Sequence, residues 1–159
     1  MSDFIPKTVW RKYAMNIKIS ESLKHFNYLQ SELDAVYHEA SLKLGMSDSS
    51  MIILYTLCNE GGSCLLNDIC ILTCLSKQTI NSAIRKLEAE DILYLKASDG
   101  KRKLVCLTEK GKQLSEKTVA KIIDIENRIF DSWSSEAKQQ YFGAIQNYVA
   151  AFKEELKNL

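Results

Sequence analysis

Residues 65–108 read LLNDICILTCLSKQTINSAIRKLEAEDILYLKASDGKRKLVCLT, and the fold follows from how this stretch is divided. The middle part, Ser76 to about Ala89, has the marks of a capped amphipathic helix. Ser76 is placed to accept the orphan backbone amide two or three residues on. Ile80, Ala83, Ile84 and Leu87 recur at helical spacing and predict one inward stripe. Before this helix, Asn67 or Asp68 is expected to open a short helix over Ile69–Thr73. After it, ILYLK and KLVCL alternate as strands around the turn Ser98-Asp99-Gly100. Asp91 stands where a left-handed residue is convenient. Helix, turn, helix and basic hairpin in this order present side chains to one DNA groove and a loop to the next.

Moving outward, Cys64-Leu65-Leu66 is expected to form a brief strand pairing with the hairpin. MIILYTLCN, from Met51, is apolar on nearly all sides and predicts a central helix, with Asp48 or Ser49 as its cap and Gly61-Gly62 at its end. From Ser20, the residues Leu23, Phe26, Leu29, Leu33, Val36, Ala40 and Leu44 repeat at three or four residue intervals up to Gly45. Beyond the hairpin, Thr108 is expected to cap one long helix from Glu109 to about Phe130, with Ile122, Ile125 and Ile129 as a buried stripe. A last helix from Ser134 or Ser135 carries Tyr141, Ile145, Tyr148, Phe152 and Leu156 on one face. Pro6, Trp10 and Tyr13 lie in a leading segment without clear pattern.

The fold class expected is mainly α with a small β-hairpin, a winged helix-turn-helix between long dimerisation helices. The chain divides as a 1–19 extension, a 20–47 dimerisation helix, a 48–108 DNA-binding lobe and 109–159 dimerisation helices. The outer helices carry more apolar surface than the small lobe can cover, which points to a homodimer with paired recognition helices on two half-sites.

Composition narrows the partners. With 46% apolar and 26% charged residues in 159, the chain can bury a core and reads as a soluble protein. No run is long enough to span a bilayer and no signal peptide is visible, so a cytoplasmic location without a membrane partner is expected. Net charge is only +1, but residues 77–103 hold seven basic against four acidic side chains. The excess thus concentrates where phosphates would lie. Five cysteines, Cys58, Cys64, Cys70, Cys74 and Cys106, lack zinc spacing and are expected as buried free thiols. No Gly-rich phosphate loop, nucleophile elbow or HExxH is present, so neither enzyme chemistry, metal nor cofactor is expected.

On the recognition helix, Gln78, Thr79, Asn81 and Ser82 are the candidates for base reading. Gln78 is foremost, because its amide both donates and accepts as adenine requires. Lys77, Arg85 and Lys86 are assigned to the DNA backbone. At the wing, Asp99 shapes the turn, and Lys101, Arg102 and Lys103 form a basic tip, Arg102 being the best suited to a narrow minor groove.

With these motifs in place, the sequence resembles the MarR family of bacterial winged helix-turn-helix regulators. The resemblance spans about residues 20–156 and is carried by LSKQTINSAIRKLEAEDIL, ASDGKRKLVCLTEKG and the flanking helices. Asp99-x-Lys101 stands where the family's Asp-x-Arg feature falls, with lysine in the arginine slot and Arg102 one position later. The Leu107-Thr108-Glu109-Lys110-Gly111 junction follows. Asp91 and Cys74 replace glycines usual in such proteins, which implies adjusted backbone geometry. The resemblance implies a homodimer, a pseudopalindromic operator on double-stranded DNA, and repression relieved by a small effector, often aromatic or phenolic. His25, Tyr28, His38 and Tyr55 are candidates for the effector pocket. A cysteine redox-responsive regulator is a variant within the same fold. Relatives that respond to peroxides use a cysteine near the N-terminus, whereas none occurs here before Cys58. A non-DNA-binding helical adaptor is the alternative of a different class.

Overall fold

The computed structural model describes residues 17–98, 100 and 102–159. Pro6, Trp10, Tyr13, Asp99 and Lys101 therefore lie outside the described residues. Seven α-helices and three strands follow in order among them. They are α1 (Glu21–Lys43), α2 (Asp48–Asn59), β1 (Ser63–Leu65), α3 (Leu66–Thr73), α4 (Lys77–Ala89), β2 (Leu93–Ala97), β3 (Lys103–Leu107), α5 (Glu109–Lys117), α6 (Val119–Asp131) and α7 (Ser135–Glu155). The chain forms two compact units, one ending at Glu39 and one from Ala40 to Leu159. The mainly helical fold with a small sheet is that expected of a winged helix-turn-helix flanked by long helices.

The core of the second unit is apolar and closed. Ile53, Leu54 and Leu57 of α2, Ile69 of α3, Ile80 of α4, Leu93, Val105 and Val119 are all at most 1% exposed. Each such side chain contributes roughly 1.5–3 kcal/mol by leaving water. The short sheet has strand order β1-β3-β2 and is antiparallel throughout. Cys64 faces Val105 across one pair and Leu95 faces Val105 across the other. The brief strand expected around Cys64 is thus present, one residue earlier than anticipated.

Several local expectations shift. Ser47, not Asp48 or Ser49, caps α2, accepting from the Ser50 amide at 3.2 Å. Met51, Ile53, Leu54 and Leu57 of α2 are buried, while Ile52, Tyr55 and Cys58 are half-buried. Asn67 and Asp68 do not open α3, which starts at Leu66 after Leu65 with no side-chain cap. The pairing of Leu65 with Leu104 already holds that residue extended.

The long helix expected from Glu109 to Phe130 is broken. Thr118, at φ −124° and ψ −92°, separates α5 from α6 while its hydroxyl donates to the Leu114 carbonyl at 2.6 Å. The stripe expected to be buried is not. Ile125 is 44% and Ile129 48% exposed, whereas Val119 beside the break is fully buried. On α7, Tyr141, Ile145, Tyr148 and Phe152 form an exposed apolar face. Phe130 and Trp133 pack edge-on at 5.4 Å between ring centres, and Trp133 meets Tyr141 at 5.2 Å, closing the corner between α6 and α7.

Burial of the thiols is mixed, which corrects the expectation that they would all be interior. Cys64 and Cys106 are buried, Cys58 and Cys70 are half-buried, and Cys74 is exposed. Cys74 and Asp91 both adopt φ +55°, the conformation a glycine would hold at those two turns.

Candidate nucleic-acid interface

The α4 helix is placed by its own sequence. The Ser76 hydroxyl accepts from the Thr79 amide at 3.1 Å and lies 2.8 Å from the Thr79 hydroxyl, fixing the first turn. Ile80, Ala83, Ile84 and Leu87 are all buried, so the rotation of the helix about its axis is set. The opposite side is open: Lys77, Gln78, Thr79, Ser82, Arg85 and Lys86 are exposed and Asn81 is half-buried. No acidic residue lies in the first turn. An anion approaching that end meets backbone amides and Lys77 without local repulsion.

Tertiary packing gathers the candidates into two depressions. One is lined by Lys77, Gln78, Asn81, Ser82 and Arg85. A second brings Ser47 and Ser49 at the start of α2 beside Gln78, Thr79, Ser82 and Lys86. Sequence reasoning passed over these two serines, because their proximity to α4 depends on how α2 packs against it. The run Ser47-Asp48-Ser49-Ser50 was the available signal, read there only as a helix start.

The wing follows the expected hairpin. The Ser98 amide donates to the Arg102 carbonyl at 2.9 Å, and Ala97 faces Lys103 across the strands. Arg102 and Lys103 share a groove with Lys77, Asn67, Asp68 and Cys70, so the wing base and the start of α4 line one groove with more basic than acidic side chains. Asp99 and Lys101 lie outside the described residues.

The four effector candidates fall in different places. His25, Tyr28 and His38 are exposed on α1 within the first unit. Tyr55 lies in the second, half-buried, and donates its hydroxyl to a Glu126 carboxylate oxygen at 2.5 Å, tying α2 to α6. Burial, and next the Glu126 carboxylate, push the Tyr55 phenol up from 10.0 to about 12. The phenol therefore stays a donor throughout the neutral range. Its raised value gives a contribution to stability that is fully present below pH 10.0 and lost as pH rises towards about 12. Denaturant titrations of Tyr55→Phe and the wild-type chain should differ by a constant amount from pH 6 to 9. The gap should narrow above pH 10, and a gap constant across pH 10–12 would count against the contact.

The buried Cys64 thiol is pushed up, first by burial and then by Glu60 and Asp68, which disfavours its reactive thiolate. Among the described residues, no group of three or more His, Cys, Asp or Glu side chains is placed to hold a metal. No described helix is long and apolar enough to cross a membrane.

Comparisons with known proteins agree with this geometry. Residues 44–104 match the model of the MarR family. A search of curated proteins found no match. Among solved structures, the MarR-family regulator NMB1585 of Neisseria meningitidis superposes with a TM-score of 0.77 at 16% identity, over 87% of this chain and 99% of that one. The S. aureus MepR-DNA complex gives 0.64 at 18% identity, over 85% and 99%. NadR in complex with 4-hydroxyphenylacetate gives 0.63 at 14%, over 86% and 97%. These likenesses show the shared fold. The lobe over residues 44–104 thus matches the MarR-family model, and the architecture that extends over the flanking helices is the fold of the solved MarR-family structures.

Proposed function

We propose that the chain is a sequence-specific duplex DNA-binding transcriptional regulator acting as a homodimer, most simply a repressor released by a small effector. The observation that carries this is the first turn of α4. It is capped, free of acidic side chains and exposed, on a helix whose other side is locked into the core. Gln78, Thr79, Asn81 and Ser82 read base edges from that turn. Lys77, Arg85 and Lys86 hold phosphates, and at the basic wing Arg102, beside Lys103, enters a narrow minor groove. Asp99 and Lys101 complete the wing tip in this reading. The MepR structure is a complex with DNA, which supports this use of the fold.

The homodimer is supported by apolar surface that one copy leaves in water. Ile125, Ile129, Tyr141, Ile145, Tyr148 and Phe152 are each 40–54% exposed, and so are Leu29 and Leu33 of α1, at 48% and 44%. A second copy covering these faces pairs two recognition helices, and the operator is then two-fold symmetric. An aromatic or phenolic effector is supported by NadR, whose structure is a complex with 4-hydroxyphenylacetate. His25, Tyr28, His38 and Tyr55 remain its proposed contacts. Tyr55 would then exchange its Glu126 partner for the ligand.

Selection of genomic fragments by the purified protein tests the reading. Wild-type chain should enrich sites sharing two inverted half-sites. Gln78→Ala should relax the preference at one position per half-site while general duplex affinity changes little, a discrimination worth about 1–3 kcal/mol. Equal recovery of all fragments by both proteins defeats the base-reading role, and enriched sites without two-fold symmetry defeat the dimer.

A further inference from the structure

The end of α4 away from the proposed bases is held by the junction that begins α5. Three successive carbonyls are taken there. The Lys110 ammonium donates to Glu90 O at 2.7 Å, and the Thr108 hydroxyl donates to Asp91 O at 2.7 Å and reaches Ile92 O at 3.1 Å. The Thr108 amide also donates to Ile92 O at 3.1 Å, and the same hydroxyl caps α5 by accepting from the Gly111 amide at 2.9 Å. Gly111 leaves so little room that a Cβ there would lie 1.9 Å from Ile92 O. Asp91, at φ +55°, turns the chain so that these carbonyls face the junction. A lysine at a helix C-terminus also meets the negative end of the helix dipole.

We propose that Thr108 and Lys110 are positioning residues for DNA reading. They clamp the C-terminal end of α4 to α5 and thereby set the angle at which its first turn enters the groove. This rests on the DNA-binding reading given above. The lever is long. A 13-residue helix measures about 20 Å, so a tilt of about 5° at the clamp moves the first turn by about 2 Å. A shift of that size breaks a bidentate base contact and, doubled by two-fold symmetry, changes the half-site spacing a dimer accepts. Phosphate contacts by long lysine and arginine side chains follow the movement with little loss.

The test uses the full chain carrying Lys110→Met, Thr108→Val or Thr108→Ser. Each is measured on the selected operator, on operators with one base pair added or removed between half-sites, and on unrelated duplex across a salt series. Lys110→Met and Thr108→Val should weaken operator binding by roughly ten-fold and flatten the spacing preference, with unrelated duplex affected less than about two-fold. Thr108→Ser, which keeps the hydroxyl, should behave as wild type. The salt slope should stay unchanged for Lys110→Met. A slope reduced by about one, with equal losses on all duplexes, would show Lys110 to be a phosphate contact and overturn the clamp. So would an operator preference unaltered in Lys110→Met while wild type selects strongly. A wild-type chain without any operator preference overturns the DNA-binding reading itself, and this one with it.

Discussion

Gly111→Ala is expected to lose about 3 kcal/mol of stability, the upper part of the range for overpacking a closed site. The added Cβ would sit 1.9 Å from the Ile92 carbonyl oxygen, 3.0 Å from its carbon and 3.3 Å from Leu107 Cδ2. Two of these three are backbone atoms at the junction of α4, β2 and α5, so no side-chain rotation relieves the clash. The chain must separate α5 from the end of α4, which also stretches the bonds from Thr108 and Lys110. For a domain of this size the loss corresponds to a drop of about 6–12 °C in the unfolding midpoint, readable by calorimetry. An unfolding midpoint within a degree of wild type would show that the junction is looser than its geometry states.

Reversing charge at Lys77 and Arg85 together should have the largest functional effect. Both side chains are exposed and line the same depression on α4, so Lys77→Glu with Arg85→Glu leaves the core untouched. Each protomer then gains two negative charges where two positive ones stood, and a dimer doubles the change. Duplex affinity should fall by about 100-fold or more at moderate salt, for specific and unrelated sequences alike, while the unfolding midpoint moves little. Duplex binding that survives the double reversal, measured by fluorescence anisotropy, would show that DNA is held on another surface.

Much of the proposed interface is visible in local sequence because its determinants are local. Ser76 caps the helix it precedes, and Ile80, Ala83, Ile84 and Leu87 define its inner side within four turns. The hairpin is similarly short-range. Its strands stand close in sequence, and burial rises along β3 from exposed Lys103 to buried Val105, Cys106 and Leu107. The left-handed Asp91 was also legible, since it follows a helix whose periodicity stops there.

Other features depend on neighbours distant in the chain. The break at Thr118 interrupts a stretch whose helical periodicity continues through it. At the break Ser115, Thr118 and Val119 are buried, Val119 within the apolar core, after which α6 leaves Ile125 and Ile129 in water. Apolar spacing alone reports that a face seeks cover, not whether the cover comes from the same chain. The Tyr55–Glu126 bond joins residues 71 apart, and Ser47 and Ser49 come beside Gln78 only because α2 packs on α4.

The sequence by itself determined the α4 helix, its cap, its exposed residues and the basic hairpin, because these arise from hydrogen bonds and periodicities within a few residues. Only the tertiary structure decided where the helix after the wing breaks, which serines join the surface and how the far end of α4 is gripped. Those outcomes turn on which of several locally acceptable arrangements lets the apolar core close, and that core is assembled from side chains of the whole lobe and not from any single segment.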